Sequence, residues 1–99
     1  MATVLIDAEN VRRSLWPNIR HRELEELCEA WAAANGHEIV LVWETEESAD
    51  DWIAREARAV ERPVWVVTSD RELRERVREH AQRIIGGGTF ASELRDQRR

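Results

Sequence analysis

Three aspartates stand where predicted strands end or where the next helix begins. Asp7 follows the apolar segment Thr3–Ile6, Asp70 comes shortly after Val64–Thr68, and Asp50 lies in the helix-start sequence SADD. Because the carboxyl ends of parallel strands and the following helix starts share one edge of a sheet, we expect these carboxylates to converge. Like charges in one place disfavour joint ionisation, so without a cation at least one of the three should have a raised pKa.

The residues expected around these aspartates offer oxygen atoms to a cation. They are Glu9, Asn10, Glu44, Thr68 and Ser69. The histidines are expected at surface positions away from this edge, and they are His21, His37 and His80. Oxygen donors favour a hard cation, magnesium or manganese, over zinc. Such a cation polarises phosphoryl oxygens and lowers the pKa of water, so the pattern indicates phosphoryl chemistry.

Alternating strand and helix patterns must position these side chains. Apolar, β-branched runs predict four strands, at Thr3–Ile6, Glu38–Trp43, Val64–Thr68 and Arg83–Ile85. Helical periodicity predicts four helices, at about His21–Asn35, Ala49–Val60, Asp70–Ala81 and Thr89–Asp96. Continuous apolar strands are typical of a parallel sheet covered on both faces. We therefore expect a three-layer α/β fold with strand order 2-1-3-4 in a single domain over residues 1–99, with an extra loop at 11–20 and a frayed tail at 95–99.

Two helix starts have capping-box spacing. Ser48 precedes Asp51 by three residues, and Ser69 precedes Glu72 by three residues. Capping would explain both of these acids without any chemistry. Asp50 and Asp70 lie at the same two helix starts. For them, the alternative to metal binding is stabilisation of the helix dipole by a first-turn acid.

The bulk composition limits the classes of function. The 99-residue chain has a net charge of −5, which disfavours a protein that holds nucleic acid by bulk electrostatics. All 15 of its basic residues are arginine. The opening sequence MATVLIDAEN has no signal-peptide pattern and no apolar run is long enough for a membrane span, which predicts a cytoplasmic protein. Cys28 lies in a helical apolar pattern and is expected to pack in the core.

Several motifs resemble one nuclease family. VLIDAENV resembles the first-strand motif of the NYN branch of the PIN-like nuclease superfamily, where YacP-like members have Asp-Gly-Tyr-Asn-Val. SADDWI is similar to the Thr-Ala-Asp helix start of that family, and VVTSDRELRERV is similar to its Val-Val-Thr-Ser-Asp strand end. The tail GGGTFASELRD also resembles the closing pattern of small residues, Ser and Leu. The resemblance covers almost the whole chain and keeps the motifs in order.

The resemblance implies a PIN-like ribonuclease that cleaves single-stranded RNA with magnesium or manganese. It implies that Asp7, Asp50 and Asp70 are metal ligands and that Asn10 supports the metal or the scissile phosphate. The chain departs from the family in a trimmed segment after the second strand, where an edge strand is expected to be missing. Glu44 stands in that region, where the family often has Asp.

The sequence predicts the residues that contact substrate less clearly than it predicts the metal ligands. The segment VRRSLWPNIR offers Arg12 and Arg13 to phosphates and Trp16 to a base, as single-stranded RNA requires. The alternative for Trp16 is packing over the end of the sheet. The hydroxyls of Thr68 and Ser69 complete the predicted substrate set. The glycines at 86–88 form either a phosphate-binding nest or a plain turn between strand and helix.

Two other functions compete with the nuclease interpretation. A non-catalytic PIN-like module that binds RNA or protein accounts for the acidic charge and the trimmed groove. A receiver-type phosphoacceptor domain also clusters acids at strand ends, but it requires a lysine, and this chain contains none. The sequence identifies no protein partner.

Overall fold

One parallel sheet organises the protein, whose computed structural model describes residues 1–97. Its strands are β1 (Thr3–Asp7), β2 (Glu38–Val42), β3 (Val64–Val67) and β4 (Arg83–Ile85). The helices are α1 (Ala8–Arg13), α2 (His21–Asn35), α3 (Ala49–Ala59), α4 (Arg71–Val77) and α5 (Gly87–Gln97). The strand order is β2-β1-β3-β4, which confirms the predicted α/β fold and order. None of the helices in residues 1–97 is long and apolar enough to cross a membrane.

Two apolar cores lie on opposite faces of the sheet. Val4 and Ile6 of β1 pack in one core with residues of α1, α2 and α5. Leu5, between them, packs in the other core with residues of α3 and α4. All three side chains have no exposed surface. Since successive strand residues point to opposite faces, burial on both sides explains the uninterrupted apolar runs in the sequence.

The carboxyl ends of the strands are level with one another. Ile6 pairs with Val67, and Val67 pairs with Ile85 on the next strand. The residues that follow these strands therefore emerge at one edge of the sheet, which we call the carboxyl edge. At the side of the sheet, β2 is an outer strand, and Val40 on it is 37% exposed.

Several element boundaries differ from the sequence prediction. Residues 11–13 belong to α1, so the expected loop at 11–20 is reduced to 14–20. The helix forms because Ala8 and Val11, three residues apart, are both fully buried. Helix α4 ends at Val77, four residues earlier than expected. Helix α5 continues through the first part of the expected frayed tail, and residues 98–99 lie outside the described residues.

The capping prediction was right for Ser48 at α3 but not for the Asp51 side chain, which bonds to Arg76, and it was wrong for α4. The Ser48 hydroxyl accepts a hydrogen bond from the Asp51 backbone N–H at 3.1 Å, as expected. At α4 the cap is Asp70, whose Oδ1 accepts from the Leu73 N–H at 2.9 Å. The Ser69 hydroxyl is used elsewhere. Asp70 therefore has a structural role of its own in addition to any chemical one.

Loss of the α3 cap should lower stability without disturbing the sheet. Ser48→Ala removes the acceptor for an orphan N–H and is expected to cost about 1 kcal/mol of unfolding free energy. In a domain of this size that corresponds to a fall of about 4–8 °C in melting temperature, measured by calorimetry. Ser92→Ala, at an exposed position inside α5, is the control and should change stability by less than about 0.5 kcal/mol. Equal effects of the two substitutions would contradict the capping role.

Candidate functional site

A single threonine hydroxyl joins two of the predicted ligands. Thr68 Oγ1 donates to Asp7 Oδ2 at 2.9 Å and accepts from the Asp70 backbone N–H at 3.1 Å. Thr68 is fully buried, and Asp7 is only 8% exposed. Thr68 was predicted to bind substrate, but its burial and its two internal bonds make it the residue that positions the aspartates. The ends of β1 and β3 are thus locked together at the carboxyl edge.

Four carboxylates interact electrostatically at this edge. Burial is the main cause that raises the pKa of Asp7, and the negative charges of Asp50 and Asp70 raise it further. Glu44 acts in the same direction, whereas the hydrogen bond from Thr68 opposes the rise. The expectation of a raised pKa among the crowded acids is confirmed. We call Asp7, Glu44, Asp50 and Asp70 the acidic cluster.

The start of α3 brings two of these acids to the edge. The pKa of Asp50 is raised by burial and then by the charges of Asp70 and Glu44, while the positive charge of Arg76 opposes the rise. Glu44 is held by its Oε1, which accepts from the Ala49 N–H at 3.0 Å. The sequence reasoning placed Glu44 near the site but did not detect that it caps this helix start.

Asp51, next to Asp50, belongs to a different set of contacts. Its Oδ1 accepts from Arg76 Nη1 of α4 at 2.9 Å. Hydrogen bonds from Arg76 and Ser48 lower the pKa of Asp51, opposite to the change at Asp50. The two neighbouring carboxylates therefore differ in role, because Asp51 links two helices and Asp50 belongs to the acidic cluster.

The acidic cluster fits magnesium or manganese by donor type. Its carboxylate oxygens are the ligands that hard cations prefer, and the repulsion among them is the kind that a cation relieves. Within residues 1–97, no three acidic, histidine or cysteine side chains are arranged closely enough to form a ready-made ion cage. Magnesium commonly keeps several waters and uses one or two carboxylates, so a closed cage is not required.

Asn10 acts as a brace between three parts of the structure. Its Oδ1 accepts from the Ser69 N–H at 3.0 Å, and Ser69 Oγ accepts from the Gly87 N–H at 2.7 Å. A methyl group on Gly87 would lie 2.1 Å from Asn10 Oδ1, so only glycine fits there. Helix α5 begins at this glycine, which favours the plain turn over a phosphate nest. The contacts give Asn10 and Ser69 positioning roles beside the acidic cluster.

Glu9 forms ion pairs with the two arginines that were expected to bind substrate. Its Oε1 lies 3.1 Å from Arg12 Nη1 and 3.7 Å from Arg13 Nε. His21 Nε2 lies 3.8 Å from Glu9 Oε2, and the His21 ring stacks on Trp43 with centroids 4.1 Å apart. His21 is therefore beside the residues of the carboxyl edge and not away from them. Arg13, whose side chain is 77% exposed, is more accessible than Arg12.

The tryptophans divide between the cores and the surface. Trp31 is buried and its Nε1 donates to Glu93 Oε2 at 3.1 Å. Trp16 is 81% exposed, so the structure does not support its packing over the end of the sheet. The exposed Trp16 ring, on the segment that follows α1, is therefore accessible for stacking.

Comparison with known proteins identifies the fold. No family model and no curated protein matches the chain. The structure is similar to the crystal structure of a mutant of Rae1 (YacP) from Bacillus subtilis, with a TM-score of 0.73 and 17% sequence identity. The fold is YacP-like. The similarity covers 99% of this chain and 79% of the other, and the YacP-like fold agrees with the group whose motifs the sequence resembles.

The charge of Asp7 should destabilise the metal-free protein. Because its pKa is raised in the fold, its neutral form is favoured there, and this contribution to stability is lost as pH rises through the folded-state pKa. Asp7→Asn removes the charge but keeps an acceptor for Thr68, so at neutral pH it should leave the unfolding free energy unchanged or raise it. Denaturant titrations with chelator present should measure this difference at several pH values. Any gain in unfolding free energy over the wild type should shrink as the pH is lowered towards 3.8, the ordinary pKa of the group.

A comparison with Asp7→Ala separates the effect of the charge on stability from the effect of the hydrogen bond. Asp7→Ala also leaves the buried Thr68 hydroxyl without its acceptor, which should cost about 1–3 kcal/mol relative to Asp7→Asn. A clear loss of stability in Asp7→Asn itself would show that the charged carboxylate is needed structurally.

The contact between Asn10 and Gly87 predicts strong coupling. Gly87→Ala should destabilise the fold by about 1–3 kcal/mol, because the added methyl overlaps Asn10. The same substitution in an Asn10→Ala background should cost much less, as a double-mutant cycle by urea denaturation would show. Gly88→Ala, which meets no atom within 4 Å, should be neutral or stabilising. Additive effects at Asn10 and Gly87 would contradict the brace.

Proposed function

We propose that this chain is a ribonuclease that hydrolyses phosphodiester bonds of single-stranded RNA with magnesium or manganese. The observation that supports it most is the acidic cluster at the carboxyl edge of a YacP-like sheet. Burial and mutual repulsion raise the pKa of Asp7 and Asp50, so this arrangement is costly for the protein alone. Groups with perturbed pKa values at such an edge are typical of functional sites.

Each acidic residue has a distinct role in the proposal. Asp7, Asp50 and Asp70 would hold the cation, and Glu44 adds negative charge beside them. When bound, the cation supplies Lewis-acid polarisation of the phosphate and activation of water. Thr68 fixes the orientation of Asp7 through a buried hydrogen bond. This positioning matters because loss of a group that orients a metal ligand commonly costs about 10- to 100-fold in activity or metal affinity.

RNA is proposed as the substrate from the motif resemblance and the fold. The exposed side chains of Arg13 and Trp16 suit a single strand, since arginine contacts phosphate and tryptophan stacks on a base. We also propose a cytoplasmic location, which follows from the sequence pattern. No protein partner is proposed.

The second candidate is a non-catalytic module that binds RNA or protein. Three observations favour it. Asp70 is already used as the cap of α4, and the acids of the described chain do not form a ready-made ion cage. The net charge of −5 also suits a protein partner better than a nucleic acid.

Cleavage of mixed single-stranded RNA with magnesium or manganese tests the proposal. Asp7→Asn, Asp50→Asn and Asp70→Asn should each reduce cleavage by more than about 100-fold, beyond the effect of losing a supporting residue. Asparagine is as good a helix cap as aspartate, so Asp70→Asn should keep α4 intact while removing the charge. Titration calorimetry with each cation should show weaker binding by the same variants.

Asp51→Asn is the matched control for this experiment. Asp51 is exposed, bonds to Arg76 and stands next to a proposed ligand, so its substitution should leave cleavage nearly unchanged. Loss of cleavage equal to that of Asp50→Asn would show that both carboxylates serve the cation. If RNA remains uncut with either cation but binds equally well to Asp7→Asn, the non-catalytic module is the correct function.

A further inference from the structure

A groove lined by arginines begins beside the acidic cluster. Its volume is about 490 Å³, and it is lined by Ser69, Arg71, Arg74, Glu75, Arg78 and Ile84. Ser69 belongs to the loop between β3 and α4, directly before Asp70. Ile84 belongs to β4, the outer strand on this side of the sheet. The groove therefore runs from the carboxyl edge along α4 and β4 at the side of the molecule.

Helical spacing places the arginines on one face. Positions 71, 74, 75 and 78 follow the i, i+3, i+4, i+7 pattern of a helix surface. On the other face of α4, Leu73 and Val77 are fully buried in the core. Burial of that face fixes the rotation of α4 and turns the arginines towards the groove. The sequence segment RELRERVR contains this spacing of arginines.

The groove is positively charged although the protein is acidic. Three arginines and one glutamate line it, which gives a net charge of +2. Glu75 Oε2 lies 3.3 Å from Arg78 Nη1, so Arg78 is partly neutralised. In the part of the chain that the structure describes, Arg71 and Arg74 form no ion pair with a carboxylate. Their guanidinium groups are available to an anion.

We propose that this groove binds the phosphate backbone of the RNA strand as it leaves the acidic cluster. The inference rests on the proposed function for the identity of the strand. Arg78, the C-cap of α4, lies seven positions after Arg71, which corresponds to a helical rise of about 10 Å. At about 3.4 Å per nucleotide of stacked strand, that length matches about three nucleotides. Arginine suits this role because its planar guanidinium binds phosphate through two parallel hydrogen bonds.

The position of the groove favours RNA over an acidic protein. Its inner end contains Ser69, which is hydrogen-bonded to the Asn10 brace beside the acidic cluster. A strand held there would be anchored by positive charge outside the cluster, while its scissile phosphate lies at the acids. An acidic protein segment would gain nothing from this continuity, because it has no phosphate to place at a cation held by the acidic cluster.

Binding without cleavage provides the test. The affinity of a short fluorescein-labelled single-stranded RNA of mixed sequence is measured by fluorescence anisotropy in chelator over a range of salt. Combined Arg71→Gln, Arg74→Gln and Arg78→Gln should weaken binding about tenfold or more, as for loss of several exposed ion pairs. The slope of log affinity against log salt should fall by about 2, since each phosphate contact on a single strand contributes about 0.7.

The matched control removes the same charge elsewhere. Arg22→Gln, Arg62→Gln and Arg95→Gln are exposed substitutions on α2, before β3 and on α5, away from the groove. Their combination should leave affinity within about twofold of the wild type, since surface charges beyond a Debye length are largely screened. If this control lost as much RNA affinity as the groove variant, general charge attraction would explain the binding and the proposed groove would be wrong.

Glu75→Gln should change affinity in the opposite direction. It removes the negative charge of the groove and frees Arg78, so RNA should bind more tightly and the salt slope should steepen. This variant guards against a false result from misfolding, since damage to α4 would weaken binding and not strengthen it.

The outcomes separate this inference from the proposed function. If the wild type binds RNA through the arginines but never cleaves it with either cation, the ribonuclease proposal fails and the groove stands. If the triple arginine variant binds RNA like the wild type, the groove is overturned whatever the cleavage result. Displacement of the labelled RNA by polyglutamate as effectively as by unlabelled RNA would overturn it in favour of an acidic protein partner.

Discussion

The buried hydroxyl of Thr68 is the contact on which the arrangement of the site depends. It donates to a side chain at the end of β1 and accepts from the backbone that begins α4. A hydroxyl can do both because it has one donor and two acceptor lone pairs. Valine, which has nearly the same shape, would leave both partners unsatisfied. The pairing of two strands thereby sets the orientation of the Asp7 carboxylate and the backbone position of Asp70.

The acidic cluster is unfavourable for the local stability of the metal-free protein. Hydrogen bonds hold Asp7, Glu44 and Asp70 individually, yet their charges act against one another and against Asp50. Such strain persists only when the surrounding structure fixes the residues, as the two cores and the Asn10 brace do here. The structural similarity to Rae1 (YacP) at 17% sequence identity shows that very different sequences form this fold.

The fold was largely predictable because burial on both faces leaves an unmistakable pattern of apolar runs in β1 and β3. The convergence of Asp7 and Asp70 followed from the topology alone. The capping role of Asp70 could not be chosen over that of Ser69 from sequence, since both residue types cap helices and stand one position apart. Helix α1 was missed because it begins directly after the last residue of β1, without a turn to mark it. The position of His21 depended on how α2 crosses the sheet, which no local pattern encodes.

Acidic residues flank the exposed edge of β2, where they have a structural effect as well. An outer strand with an apolar residue such as Val40 offers unpaired backbone groups to other chains and can seed aggregation. Glu38 begins this strand, and the acidic segment at 44–47 follows it closely. Charges that flank an apolar strand act as gatekeepers against edge-to-edge assembly. Part of the negative charge thus protects an open flank of the sheet, while the arginine groove lies on the opposite flank beside β4.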